Sequence, residues 1–384
     1  MAVIYYFFVG KLKMKKSKAL KVIFAILLAV LVIGGVCVFA FYKYFTAPIG
    51  KYPDKAQRAE FIKHPSVLYN DGEGRFYNEN PVESTSSSSL NVNGYSKPES
   101  LIPAEKIDSL DRASDGEMNI SWLGHSSVLV QMGSQNVLID PILTKGATTP
   151  QMYTLPARIS EIALDIDNIP DIDVLCISHD HFDHLDYGTV TAIDSKVGTY
   201  VVPLGVDSLL EGWGIDESKI HVLGWWESVE LGGVTYTLTP AQHYSGRFAS
   251  KQYKTLWGGI YMSDSAHSLY FTGDSGYCGT FADIYDKLGA PDVMLADAGQ
   301  DTPAWSHMSP EEVTQAAQDV HAAYLIPVHW GAYLYSNYDW YKPAEDIVKQ
   351  ADEDGVAIAT PKLGHLFSYD EIADQNEKWW EENE

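Results

Sequence analysis

Cysteine is nearly absent from these 384 residues: there are three, and Cys37 lies inside an apolar run. A disulfide scaffold is therefore excluded, and the fold must rest on a hydrophobic core. Positive charge is scarce beyond residue 50. Residues 1–50 hold seven of the 27 Lys and Arg and no acid, which leaves 20 basic against 51 acidic side chains in the remainder, a net of −31. Such a surface repels phosphate backbones, so no nucleic-acid partner is expected. No internal repeat is visible either. What is present is a globular composition, 46% apolar and 20% charged, with twelve His.

Residues 22–42 carry no charge. A helix of that length rises about 32 Å against a hydrocarbon core of ~30 Å. A cleaved signal peptide would have a shorter apolar region and a small-residue cleavage site, conditions poorly met here, so an uncleaved transmembrane anchor is expected over 22–45. Lys11, Lys13, Lys15, Lys16, Lys18 and Lys21 precede the run and only Lys43 follows closely. Segment 1–21 is accordingly expected on the cytoplasmic side of a cell membrane crossed once, with the rest of the chain beyond it. Residues 2–9 are apolar but too short to span, and Met14, before Lys15 and Lys16, is the expected translation start.

Residues 46–111 show little periodicity and include a Ser/Thr run at 84–89, which reads as a stalk and an extended arm over a domain at 112–384. The core is expected from about residue 118, where short β-type runs begin (MNISWL, SVLVQM, NVLID). Further strands are predicted at 173–178, 199–203, 234–240, 259–263, 268–273, 292–297 and 323–328, with helices between them. Ser309-Pro310-Glu311-Glu312 supplies an N-cap, a proline at the first helical position and a capping-box Glu. Strands first in meander, then mixed with helices, suggest two sheets covered by helices.

The decisive segment is Ser178-His179-Asp180-His181-Phe182-Asp183-His184, at the end of an apolar strand. Three imidazoles this close would repel each other if protonated and would each need a partner if buried and neutral. A divalent metal resolves both problems, since neutral imidazole and carboxylate are zinc ligands.

This His-x-His-x-Asp-His run resembles the signature of the metallo-β-lactamase superfamily. The resemblance implies an α+β fold, an αβ/βα sandwich, here preceded by a single transmembrane helix. It also asks for later strand-end ligands, and His243, Asp274 and His329 stand in those places. Carried onto this sequence, the pattern puts His179, His181 and His243 on one metal, Asp183, His184 and His329 on the other, and Asp274 between them. Two zinc ions are expected, with other divalent metals open. Ions ~3.5–4 Å apart can share a hydroxide and polarise a phosphoryl or carbonyl oxygen. Asp140, at an upstream strand end, would orient a ligand His; its alternative is a turn-forming Asp before Pro141.

Further segments resemble the phospholipase D that hydrolyses N-acyl-phosphatidylethanolamine: Trp122-Leu123-Gly124-His125, Val202-Pro203-Leu204-Gly205, Pro240-Ala241-Gln242-His243, Phe271-Thr272-Gly273-Asp274-Ser275 and Val328-His329-Trp330-Gly331. They imply a membrane-anchored dinuclear zinc phosphodiesterase acting on that lipid or a related phospholipid. Asp183 and His307 would be catalytic, with His307 either at the substrate or a surface residue before the helix that Ser309 caps. His125 is either a site residue or the close of a strand turn, and Arg247 either a phosphate partner or a surface residue. Residues 297–303 depart from the family, which leaves the substrate walls open. Rival readings are a lactonase or soluble phosphodiesterase of the same fold and a metal-free anchored scaffold. A homodimer is among the partners expected.

Overall fold

The computed structural model describes residues 2–79, 97–149, 156–299, 305–334 and 338–383, with side chains from Leu20 to Glu382. The Ser/Thr run at 84–89 lies outside them. Helix α1 (Ala2–Phe41) opens the chain. Through its continuation, the stretch Leu20–Ile49 is the one helix among the described residues long and apolar enough to cross a membrane, judged by length and composition.

Period-2 patterning then takes over. Strands β3 (Asn119–Gly124), β4 (Ser127–Met132), β5 (Gln135–Ile139), β6 (Ile172–Cys176), β7 (Val197–Pro203) and β8 (Ile220–Leu223) form a sheet, with β15 (Phe367–Ser368) on its far edge beside β3. Pairing is antiparallel from β15 to β5 and parallel from β5 to β8. The second sheet repeats the plan. Strands β9 (Ser228–Leu231), β10 (Val234–Thr239), β11 (Gly259–Ser263) and β12 (Ser268–Phe271) meander, then β12, β13 (Val293–Asp297) and β14 (Tyr324–Val328) run parallel.

Alternation along the strands divides the core. Val128 and Val130 on β4, Val137 and Ile139 on β5, and Val174 and Cys176 on β6 meet Tyr236, Leu238, Ile260 and Met262 of the second sheet in one cluster. The intervening Leu129, Leu138 and Leu175 face a separate cluster with α3 (Tyr187–Ile193) and α4 (Val206–Gly212). Helices α5 (Thr280–Leu288), α6 (Pro310–Asp319) and α7 (Lys342–Asp354) bury Phe281, Val313 and Ile347 with the second sheet. Ser309 caps α6 reciprocally with Glu312. The result is the layered α+β architecture of two sheets between helices. Strands β8, β9 and β15 escaped the sequence reading because each is short or only half-buried.

The core also starts earlier than residue 118. Helix α2 (Lys55–Phe61) and the hairpin of β1 (Leu68–Asn70) and β2 (Arg75–Tyr77) bring Phe61 and Phe76 into the main cluster, and Ile102 joins them. Phe61, Tyr69 and Phe76 pack ring on ring. Their partners are remote in sequence, so no local period announces them.

Candidate metal centre

In both sheets the strand ends at one edge of the sandwich carry the polar residues. The loop after β6 brings His179, His181, Asp183 and His184; β5 leads to Asp140, β10 to His243 and β12 to Asp274, β13 ends at Asp297 and β14 leads to His329. His125 sits in the β3–β4 turn and exchanges backbone bonds with the β14 end, His125 N to Trp330 O and His329 N to His125 O, each 2.9 Å. That bridge joins the two sheets at the site. His125, Asp140 and His329 all adopt positive φ, +52°, +42° and +69°. Non-glycine residues held there cost of order 1–3 kcal/mol each and persist where the surroundings over-determine them.

Among the described residues the donor atoms form four overlapping groups, each within 4.8 Å mutually. Asp274, Asp297, His307 and His329 make one, and Asp140, His179 and His184 another; the remaining two, with no residue in common, are His179, His181, His243 and Asp274, then His125, Asp183, His184 and His329. Asp274 lies between them. Its Oδ2 is 3.1 Å from His184 Nε2, 3.3 Å from His329 Nε2, 3.6 Å from His243 Nε2 and 3.7 Å from His179 Nε2.

The outer ring atoms fix the tautomers. His184 Nδ1 donates to Asp140 Oδ2 at 2.7 Å, and His243 Nδ1 donates to the Ser306 carbonyl at 3.0 Å. Ser178 Oγ donates to Asp140 and so accepts from His179 Nδ1 at 2.9 Å. Each Nε2 therefore turns a lone pair inward. His179 Nε2 lies 2.9 Å from His181 Nδ1, and His243 Nε2 lies 3.3 Å from the same atom. His184 Nε2, His329 Nε2 and Asp274 Oδ1 are buried without a hydrogen-bond partner. Converging lone pairs and orphaned buried atoms of this kind fit a pair of divalent cations.

The electrostatics follow from burial and contact. Burial pushes the His179 and His243 imidazoles well below their ordinary range, with neighbouring imidazoles adding to the effect. His125 falls to about 4, through burial and then His329. Burial also works against the charged form of Asp274, but His184 and His329 outweigh it and hold the carboxyl well below its usual range.

A family model for the beta-lactamase superfamily domain matches residues 135–330. The chain belongs to the metallo-β-lactamase superfamily. An uncharacterised protein of Mycobacterium tuberculosis is 34% identical over 275 residues, 70% of this chain and 73% of its own. The N-acyl-phosphatidylethanolamine-hydrolyzing phospholipase D 1 of Caenorhabditis elegans is 30% identical over 289 residues, 70% of this chain and 81% of that one. Among solved structures, the metallo hydrolase Igni18 of Ignicoccus hospitalis superposes with a TM-score of 0.50 at 19% identity, covering 66% of this chain and 98% of that one. The protein is a metal-dependent hydrolase of the metallo-β-lactamase fold.

In this superfamily member the remaining predicted residues take distinct places. His307 packs beside the rings of His243 and His329, and its Nδ1 lies 2.7 Å from Asp297 Oδ2. Burial opposes its charge, yet Asp297, then Asp274 and Asp183, raise it to about 9. His125 Nε2 lies 3.1 Å from Asp183 Oδ2, so it holds that carboxylate. Arg247 is neither a surface residue nor turned to the donor cluster. It is fully buried behind the 178–184 loop, with Nη1 on the Asp180 and Leu185 carbonyls and Nε on Pro48 O.

Asp297 is the residue the sequence reading missed as functional. It opens the divergent 297–303 segment, of which 300–303 lie outside the described residues. Its signal in the sequence is its place at the end of the predicted strand 292–297; in the fold the parallel strands β12, β13 and β14 bring Asp274, Asp297 and His329 to one edge.

Proposed function

We propose that this chain is a membrane-anchored dinuclear zinc phosphodiesterase of phospholipase D type, acting on N-acyl-phosphatidylethanolamine or a related phospholipid. The observation that carries the reading is the His307–Asp297 pair beside the donor cluster. With its Nδ1 engaged by the Asp297 carboxylate, this imidazole keeps its other nitrogen for donation to an anionic phosphodiester. The relationship to the nematode phospholipase D supports the same substrate class.

His179, His181 and His243 would hold one ion and Asp183, His184 and His329 the other, with Asp274 shared. When bound, the ions supply a nucleophile at neutral pH and polarise the phosphoryl oxygen. The chain's own part is positioning. Asp140 and Ser178 orient His184 and His179, and His125 keeps Asp183 from swinging away. His307 donates a hydrogen bond to a phosphoryl oxygen and is held to that task by Asp297. Hydrolysis forms a bond from a water oxygen to phosphorus and breaks the phosphorus–oxygen bond to the headgroup alcohol, which leaves with a proton of that water while phosphatidic acid remains. Residues 22–45 would keep the site at the bilayer, with the domain on the side opposite the Lys-rich segment.

The test is incubation of the zinc-loaded full chain, in mixed micelles, with a phospholipid panel, following release of headgroup alcohol and phosphatidic acid. Turnover of a sugar lactone with none of the lipids would favour the lactonase reading. A chain that binds no metal would favour the scaffold.

A further inference from the structure

The segment that leaves the apolar helix is bonded to the metal loop. Ala47 and Pro48 are buried at the end of the Leu20–Ile49 stretch. Trp213 Nε1 donates to Ala47 O at 2.8 Å, and Arg247 Nε donates to Pro48 O at 2.8 Å. Four residues beyond Pro48, Tyr52 Oη donates to Asp180 Oδ2 at 2.7 Å and accepts from Arg247 N at 2.8 Å.

Asp180 stands between His179 and His181 yet belongs to no donor group. Its second oxygen accepts from Gly246 N at 2.6 Å, three residues after His243. One carboxylate thus ties together the two loops that carry His179, His181 and His243. Arg247 closes the same knot, since its Nη1 bridges the Asp180 and Leu185 carbonyls, 3.0 and 2.7 Å away, while its guanidinium lies 4.2 Å over the Phe182 ring. Residues 181–184, which include three donors, are spanned by that one side chain.

We propose that Tyr52 is a positioning residue of the metal centre and that the 47–53 strap is a structural part of the site, so that the root of the anchor helix sets the geometry of the His179/His181/His243 half. The hydroxyl of Tyr52 is the one strap atom that reaches both members of the knot, the Asp180 carboxylate and the Arg247 backbone. Removing it frees Asp180 to turn, and with Asp180 the relation between the His179–His181 pair and His243 loosens. The Asp183/His184/His329 half is also held by Asp140 and His125, so the larger effect falls on the ion of the other half. The inference rests on the dinuclear reading above but not on the identity of the substrate.

The full chain in detergent or nanodiscs, loaded with cobalt(II), tests it through two readouts: the visible absorption of the bound cobalt and the rate of its transfer to EDTA. Tyr52→Phe keeps the ring and removes both hydroxyl bonds. One of the two cobalt ions should leave about 10-fold faster or more, with a changed absorption band. His64→Ala is the control. It cuts an arm contact at Glu227, 2.7 Å long, between two residues that belong to no donor group. It should release cobalt at the parental rate even where its melting temperature falls. Parental release and spectrum in Tyr52→Phe would overturn the proposal, as would equal acceleration in the control. Should Tyr52→Phe not fold, Asp180→Asn carries the test, with accelerated release expected and a parental rate counting against the idea. A parent chain that takes up no cobalt overturns the dinuclear reading itself.

Discussion

The two halves of the donor set are braced by different chemistry. Behind His179 stands a hydroxyl and behind His243 a carbonyl, both neutral acceptors. Behind His184 stands the carboxylate of Asp140, fully buried, and the same half brings its own anionic donor, Asp183. A carboxylate behind an imidazole raises the basicity of the inward nitrogen more than a carbonyl does. The half built on Asp183, His184 and His329 is therefore the charge-rich one, and the half built on three imidazoles relies on mechanical support from Asp180, Arg247 and the strap. Asp274, nearly equidistant from both, is what makes them one centre.

Removing the shared group tests this most severely. Asp274→Ala should abolish hydrolysis and lower metal content from two ions per chain toward one or none, read by elemental analysis; near-parental turnover would sink the dinuclear assignment. His179→Ala should also end hydrolysis yet leave the charge-rich half loaded with one ion. A smaller effect separates the braces. Asp140→Asn should weaken retention of the ion on the His184 side by roughly 10- to 100-fold in chelator competition. Ser178→Ala should cost only a few-fold, and on the His179 side. If the two variants lose metal equally, the contrast between anionic and neutral bracing fails.

Much of this centre was legible in the chain. Three imidazoles and two carboxylates in residues 178–184 have no inexpensive explanation without a metal, and His243, Asp274 and His329 follow predicted strands at the places where the resemblance asks for ligands. The supports were less legible for a physical reason. Asp297, Ser306 and Tyr52 act through contacts 10, 63 and 128 residues away, and such pairings leave no trace in a local window. Arg247 shows the same limit from the other side. Its place four residues after His243 offered a phosphate partner or a surface residue, whereas the fold commits Nε and Nη1 to three backbone carbonyls. The arm was underestimated likewise, because Phe61, Phe76 and Ile102 find their apolar partners only after both sheets are assembled.

The mildest perturbation concerns Asp297, which touches both halves of the argument. Its Oδ2 holds His307 at 2.7 Å, and its Oδ1 lies 3.7 Å from His329 Nδ1. Gly299 N and Ser275 N donate to the same carboxylate, at 2.7 and 3.1 Å, so it stays fixed whether or not His307 is charged. His307→Gln should leave the metal content of the loaded protein unchanged, since His307 belongs to neither half. In the metal-free protein its effect should depend on pH, with a sign set by the raised value. Burial alone would lower the imidazole, but Asp297 outweighs it and brings it to about 9, above the ~6.5 of an unfolded chain. The stabilisation from binding that proton is fully present below about 6.5 and is lost as the pH rises through about 9. The melting temperatures of metal-free parent and His307→Gln should therefore lie furthest apart near pH 6 and converge by pH 10. A gap that stays constant across that interval would mean that the pair is not ionic, and that Asp297 serves His329 and the charge-rich half alone.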